Sequence, residues 1–158
     1  GKTGTNPILR RRLGSTTIAL IHRQKRPLLL VEEDNRLGYP MIVLHDDSRL
    51  GQISLETARD LLDPGETLIL LVNDEDPEAY QKNKQKLSDW ASEKQINISI
   101  QTYKPRSFVR FLQQIYGIKT GLFILPHIQT IPNRRLVELV LEKVSLPVLL
   151  IRGKKSEA

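Results

Sequence analysis

Met41-Ile42-Val43-Leu44-His45-Asp46-Asp47-Ser48 is a run of four apolar residues followed at once by polar ones. An unbroken apolar run of strand length reads as a strand buried on both faces, as in a parallel sheet. The chain repeats this device after Leu44. Thr67 to Val72, Gly121 to Leu125 and Pro147 to Ile151 are further apolar runs. Asn97 to Tyr103 alternates Ile98 and Ile100 with polar residues, as a half-exposed strand does. Helical patterns lie between them. Ser54 is a candidate N-cap for a helix to about Leu62, which Asp63-Pro64-Gly65 breaks. Asp76 caps a second helix with Pro77 at its first position, and it runs to about Lys94. Arg106 to Tyr116 and Asn133 to Val144 complete the set. Strand and helix alternate from Met41 to Arg152. That order predicts an α/β fold, a doubly wound five-stranded parallel sheet with right-handed crossovers.

Residues 34–40 read as a surface crossing, rich in turn formers. Before them, Leu28-Leu29-Leu30-Val31 is one more apolar run, read as a strand buried on both faces. A helical pattern from Gly14 to Gln24 precedes it, and Pro27 stops that helix. Here the chain repeats itself. Arg11-Arg12-Leu13, a helix and Pro27-Leu28-Leu29-Leu30-Val31 parallel Arg134-Arg135-Leu136, a helix and Pro147-Val148-Leu149-Leu150-Ile151. Residues 1–36 therefore read as the last third of one unit. Residues 37–153 read as a complete second unit, and 154–158 as a polar tail.

The 158 residues suffice for one domain with a real core. There is no cysteine, which excludes disulfides and thiolate chemistry. No apolar run is long enough to span a bilayer as a helix. Residues 1–36 hold eight Lys or Arg against three acids, so +5 of the net +6 lies there. Such a stripe suits phosphate-rich or acidic partners, or is simply a solvated helix face. Only 5% of residues are aromatic and none interleave with the basic run, which argues against nucleic acid as the main partner.

The first seventeen residues carry the chemistry. Gly1 and Gly4 stand three apart, and Gly14 follows nine residues later with Ser15, Thr16 and Thr17 behind it. Glycine lets backbone approach a ligand closely, and hydroxyl residues at a helix start leave N–H groups aimed at anions. The pattern describes a phosphate cradle. Gly1-Lys2-Thr3 imitates the end of a P-loop, but Pro7 would interrupt the helix a P-loop requires.

G-x-x-G, nine residues, then G-[ST] resembles the phosphate-binding signature of the ATP-binding branch of the universal stress protein family. The match falls on Gly1, Gly4, Gly14 and Ser15. The resemblance implies an adenine nucleotide alpha hydrolase-like fold and a regulatory module in stress response. It implies ATP or another adenine nucleotide, with Mg, held by these residues and by Thr16. The first unit would then be the remnant of a tandem pair. It further implies a homodimer through the last strand, a cytoplasmic setting and a transporter domain upstream in some relatives. Asp46 stands where the family places an aspartate near the adenine. Asp46 and Asp47 also suit a plain turn. The second unit departs from the family at Pro126-His127-Ile128-Gln129-Thr130-Ile131-Pro132-Asn133, which holds no glycine. Proline fixes φ and β-branched residues resist positive φ, so no triphosphate cradle is expected there. The alternative function is a module that binds no nucleotide, in which the second unit is a dimerisation or docking surface, as in a cytoplasmic regulatory domain of a membrane transporter.

Enzyme chemistry is not expected beyond slow hydrolysis of bound nucleotide. No nucleophile stands beside a recognisable base. His45 and His127 both follow strands, so one sheet edge would bring them near Asp46. A metal or acid–base pair there competes with the plainer reading of strand-end polar residues.

Overall fold

The computed structural model describes residues 26–127 and 133–152, which build a six-stranded sheet with helices on both faces. In chain order these are β1 (Leu28–Leu30), β2 (Arg36–His45), α1 (Arg49–Leu61), β3 (Thr67–Asn73), α2 (Pro77–Lys94) and β4 (Asn97–Tyr103). A 3-10 turn (Pro105–Ser107) leads into α3 (Phe108–Ile115), followed by β5 (Thr120–Pro126), α4 (Asn133–Lys143) and β6 (Val148–Ile151). The strand order is β1-β6-β5-β2-β3-β4. Strands β2 to β6 are mutually parallel. This is the doubly wound pattern: the chain moves outward from β2 to β4, then returns to the far side of β2 for β5 and β6.

The sheet has one strand more than expected, and it is mixed. β1 runs antiparallel to β6, with Leu29 opposite Leu149. It is also not buried on both faces. Leu28 and Leu30 pack into the core beneath α4, whereas Leu29 stays 44% exposed. An edge strand with helices over one side only has no cover for its other side. The pairing is within the chain, so β1 occupies the outer edge of β6. Asn35 holds the crossing down: it is buried, its Oδ1 accepts from the Glu32 N–H, and its Nδ2 donates to the Ser145 carbonyl.

Two apolar layers sandwich the sheet. Leu112, Val137, Val140 and Val144 of the α3–α4 side cover Ile42, Leu71, Phe123 and Leu150. Leu50, Leu55, Ala58 and Leu87 of the α1–α2 side cover Val43, Leu68, Leu70 and Ile124. Alternate residues of β2, β3, β5 and β6 thus serve opposite layers, which is why these four strands read as unbroken apolar runs. Each fully buried Leu, Ile or Phe contributes about 1.5–3 kcal/mol of burial free energy.

Two boundaries differ from the sequence reading. β2 begins at Arg36, inside the stretch read as a crossing, because Arg36 and Leu37 pair with Thr120 and Gly121 before the register shifts. The cap of α1 is Ser48, not Ser54. Ser48 Oγ accepts from the Gly51 N–H at 3.0 Å. Ser54 lies buried within the helix and donates to the Leu50 carbonyl at 2.8 Å. The Gly51-Gln52 pair disguises the first turn, since neither residue carries the apolar period.

Candidate functional site

In a doubly wound sheet, the ends of the strands diverge where the winding reverses, and the crevice outside their carboxyl ends receives ligands. Here the reversal lies at β2, between β3 and β5. The residues that leave β2 at that edge are His45, Asp46, Asp47 and Ser48.

Asp46 sits at the reversal point, and its carboxylate is already engaged. Oδ1 accepts from the Ser48 N–H at 3.1 Å and from the Ser48 hydroxyl. The Ser48 hydroxyl oxygen in turn accepts from Gly51, so one chain of hydrogen bonds turns the strand into α1. This is a turn-and-cap arrangement in which each partner satisfies an otherwise orphan N–H. Gly51 completes it. A Cβ there would stand 2.2 Å from the Asp46 carbonyl oxygen.

His45 lies on the other face of β2 and is only 5% exposed. Its Nε2 is 3.2 Å from Oδ1 of Asn83 on α2, and its Nδ1 has no hydrogen-bond partner. Burial holds the imidazole below its ordinary pKa, against the opposing pull of Asp46 and the Asn83 bond. The ring is therefore neutral near pH 7. Asp47, on the solvent side, pairs with Lys86 at 3.7 Å.

Other strands add polar ends to the same edge. Tyr103 closes β4, buried against Phe108 with ring centroids 5.0 Å apart. Burial, then the charge of Asp46, pushes its hydroxyl well above the ordinary tyrosine range. Arg152 follows β6 and is 7% exposed, with Nη1 lacking a hydrogen-bond partner. His127 follows β5, and its backbone N–H bonds the Ile151 carbonyl at 2.8 Å. Among the described residues, no three His, Asp or Glu side chains come together in a way that could hold a metal ion. His45 turns to Asn83.

Of the nucleotide contacts expected from the sequence, Asp46 alone falls within the described residues; His45, Asp47 and His127 are described too, and the edge does not bring the two histidines together with Asp46 as a metal site. Gly1, Gly4, Gly14, Ser15 and Thr16 lie outside the described residues, as does the loop 128–132. Asn83 and Arg152 carry no motif that the sequence alone marks. Asn83 sits in a Lys-rich helical run that reads as a solvent face, and its partner lies 38 residues away. Arg152 directly follows the final apolar run, and that position at a parallel-sheet edge was its only signal.

His45 gives a pH prediction. A base whose folded pKa is lowered contributes full stability above its unfolded value near 6.5, and that contribution falls as pH drops below it. Urea unfolding at pH 8 and pH 5.5 should show wild type losing more stability on acidification than His45→Gln does. Equal losses in the two proteins would mean that the ring is not held neutral by burial.

No protein-family model matches the sequence, and no curated protein matches it. A solved structure does match the fold: a universal stress protein from Archaeoglobus fulgidus DSM 4304, with a TM-score of 0.71 at 17% identity. The alignment covers 90% of this chain and 56% of that one, so this chain spans little more than half the length of its structural neighbour. No described helix is long and apolar enough to cross a membrane. The wound order about β2, the layered core and this neighbour agree: the chain has a universal-stress-protein-like fold.

Proposed function

We propose that the chain is part of a paired regulatory module of the universal stress protein type. Its first unit binds an adenine nucleotide with Mg, and its second unit serves as the docking half. The observation that carries this reading is the pairing of β1 with β6. Two Pro-led apolar strands of matching sequence meet antiparallel at Leu29 and Leu149. Two related units joined through their last strands would meet in this way. Residues 1–36 are then the end of the first unit, and Gly1, Gly4, Gly14, Ser15 and Thr16 are its phosphate contacts, held through backbone N–H groups and hydroxyls. The role is regulatory, not catalytic. A cytoplasmic setting follows from the nucleotide, and attachment to a transporter domain is one form such a module takes.

The second unit is read as the non-binding half on two grounds. Residues 126–133 offer no glycine for a cradle. One oxygen of the Asp46 carboxylate, Oδ1, is held by Ser48, which leaves less of the group for an adenine. A homodimer through the last strand would have to add to β1 or displace it, because β1 already pairs with β6.

Isothermal titration of the chain with ATP and Mg²⁺ tests the proposal. Wild type should give saturable heat. Gly14→Val should weaken binding at least about tenfold, since each 1.4 kcal/mol of lost contact is a factor of ten. Mass spectrometry of the purified protein should also find co-purified adenine nucleotide. No heat from wild type, or a Gly14→Val titration that overlays it, removes nucleotide binding and leaves the docking role.

A further inference from the structure

The two stretches of chain that build the opposite layers carry opposite charge. Residues 46–95, which include α1 and α2, hold twelve acids and six bases, a net of −6. Residues 96–152, which include α3 and α4, hold eight bases and two acids, a net of +6. The overall balance hides this, since the two halves cancel.

An apolar groove lies on the basic side. It measures about 270 Å³ and is lined by Val109, Leu112, Gln113 and Tyr116 of α3 with Lys143 at the end of α4. Val109 is 37% and Tyr116 63% exposed, although both are large apolar side chains. They stand seven residues apart, so they fall on one face of α3 with Leu112 and Gln113 between them. Cations flank this stripe. Arg110 precedes Gln113 by three positions on α3, and Arg106 lies in the 3-10 turn that leads into it; both are exposed. Residues 104–119 contain four cations and no carboxylate. Lys104 and Lys119 are paired with Asp74 and Asp34. Arg106, Arg110 and Lys143 make no ion pair among the described residues.

An exposed apolar slot with unpaired cations beside it is a surface a protein presents to a complementary partner. We propose that the α3–α4 groove docks an acidic amphipathic helix of a partner protein. Its apolar side chains would enter between Val109 and Tyr116, and its carboxylates would meet Arg106, Arg110 and Lys143. The proposal rests on the docking role given above to the second unit, and it does not depend on nucleotide.

Fluorescence anisotropy tests it with a labelled synthetic helix of about 18 residues, Leu and Phe on one face and Glu elsewhere, a length that spans the groove at 1.5 Å per residue. The chain should bind this peptide and not the same peptide with Lys for Glu. Binding should weaken with added salt and fall at least about tenfold in Arg106→Glu/Arg110→Glu, as loss of close charge pairs requires. Val109→Asp should fall similarly. In wild type, amide NMR shifts on titration should centre on residues 109–116, a readout that survives if a variant fails to fold. Failure of the acidic peptide to bind, or equal binding of both peptides, overturns an acidic partner. Unchanged binding in the variants, or shifts confined to α1 and α2, overturns this surface but leaves docking elsewhere. Sedimentation of the protein with phosphatidylserine vesicles, competing with the peptide, would assign the groove to a membrane and overturn the proposal.

Discussion

Phe123→Ala is expected to cost the protein about 3–5 kcal/mol, the range for truncating a fully buried aromatic. Phe123 is at the middle of β5, with no exposed surface, between Ile42 of β2 and Val148 of β6. It belongs to the layer that α3 and α4 close. Removing the ring takes away its burial and leaves a cavity, which a strand paired on both sides cannot collapse to fill. Domains are stable by only about 5–15 kcal/mol, so this one change would consume much of the margin. Urea unfolding followed by circular dichroism measures it. Tyr116→Ala is the control: the same face of the sheet, 63% exposed, and expected to change stability by less than about 0.5 kcal/mol. A Phe123→Ala loss below about 1.5 kcal/mol would mean that α3 and α4 do not seal the sheet as described.

The legibility of the chain followed how local each signal was. Four of the five parallel strands could be read from their own residues, because a strand covered on both faces must be apolar throughout; β4, at the sheet edge, could be read from its alternation instead. α2 was equally legible: Asp76 accepts from the Glu78 and Ala79 N–H groups, Pro77 opens the helix, and Lys94 ends it, all within the segment. β1 was legible as a strand but not in direction or burial. Leu28–Leu30 is as apolar as the core strands, and nothing in three leucines says that Leu29 will lack a cover. The local sequence favours a shorter β2, because Gly38 and Pro40 are poor strand formers. Pairing with Thr120 and Gly121 overrides that local preference, and those residues lie some eighty positions away. At the carboxyl edge, Asp46 was legible as a position. Its engagement with Ser48 depends on where α1 starts, which the displaced cap concealed. The Asn83 partner of His45 was not legible, since a hydrogen bond between two elements leaves no local pattern.

Gly51→Ala is the second large effect, and its sign has to be decided between two opposed contributions. Alanine is the better helix former, by about 1 kcal/mol within a helix. Against that, the added methyl would lie 2.2 Å from the Asp46 carbonyl oxygen and 2.5 Å from its carboxylate. The carboxylate is a side chain and can swing. The carbonyl is backbone at the end of a core strand and can yield only if β2 or the first turn of α1 moves. Overpacking of this kind costs about 1–3 kcal/mol, and here the upper end applies because the obstacle is main chain on both sides. Shifting α1 would also loosen the Ser48 cap, which is worth about 1 kcal/mol. The clash therefore outweighs the propensity gain, and a net loss of about 2–3 kcal/mol is expected. Gln52→Ala, one position further along the same helix and exposed, should be neutral or slightly stabilising by comparison. Asp46→Ala should not rescue Gly51→Ala, since the nearer contact is to the carbonyl and survives the substitution. If Gly51→Ala proves as stable as wild type, the Asp46 turn does not sit against α1. The carboxylate would then be free to face the crevice, and the second unit would regain the group that an adenine-binding role requires.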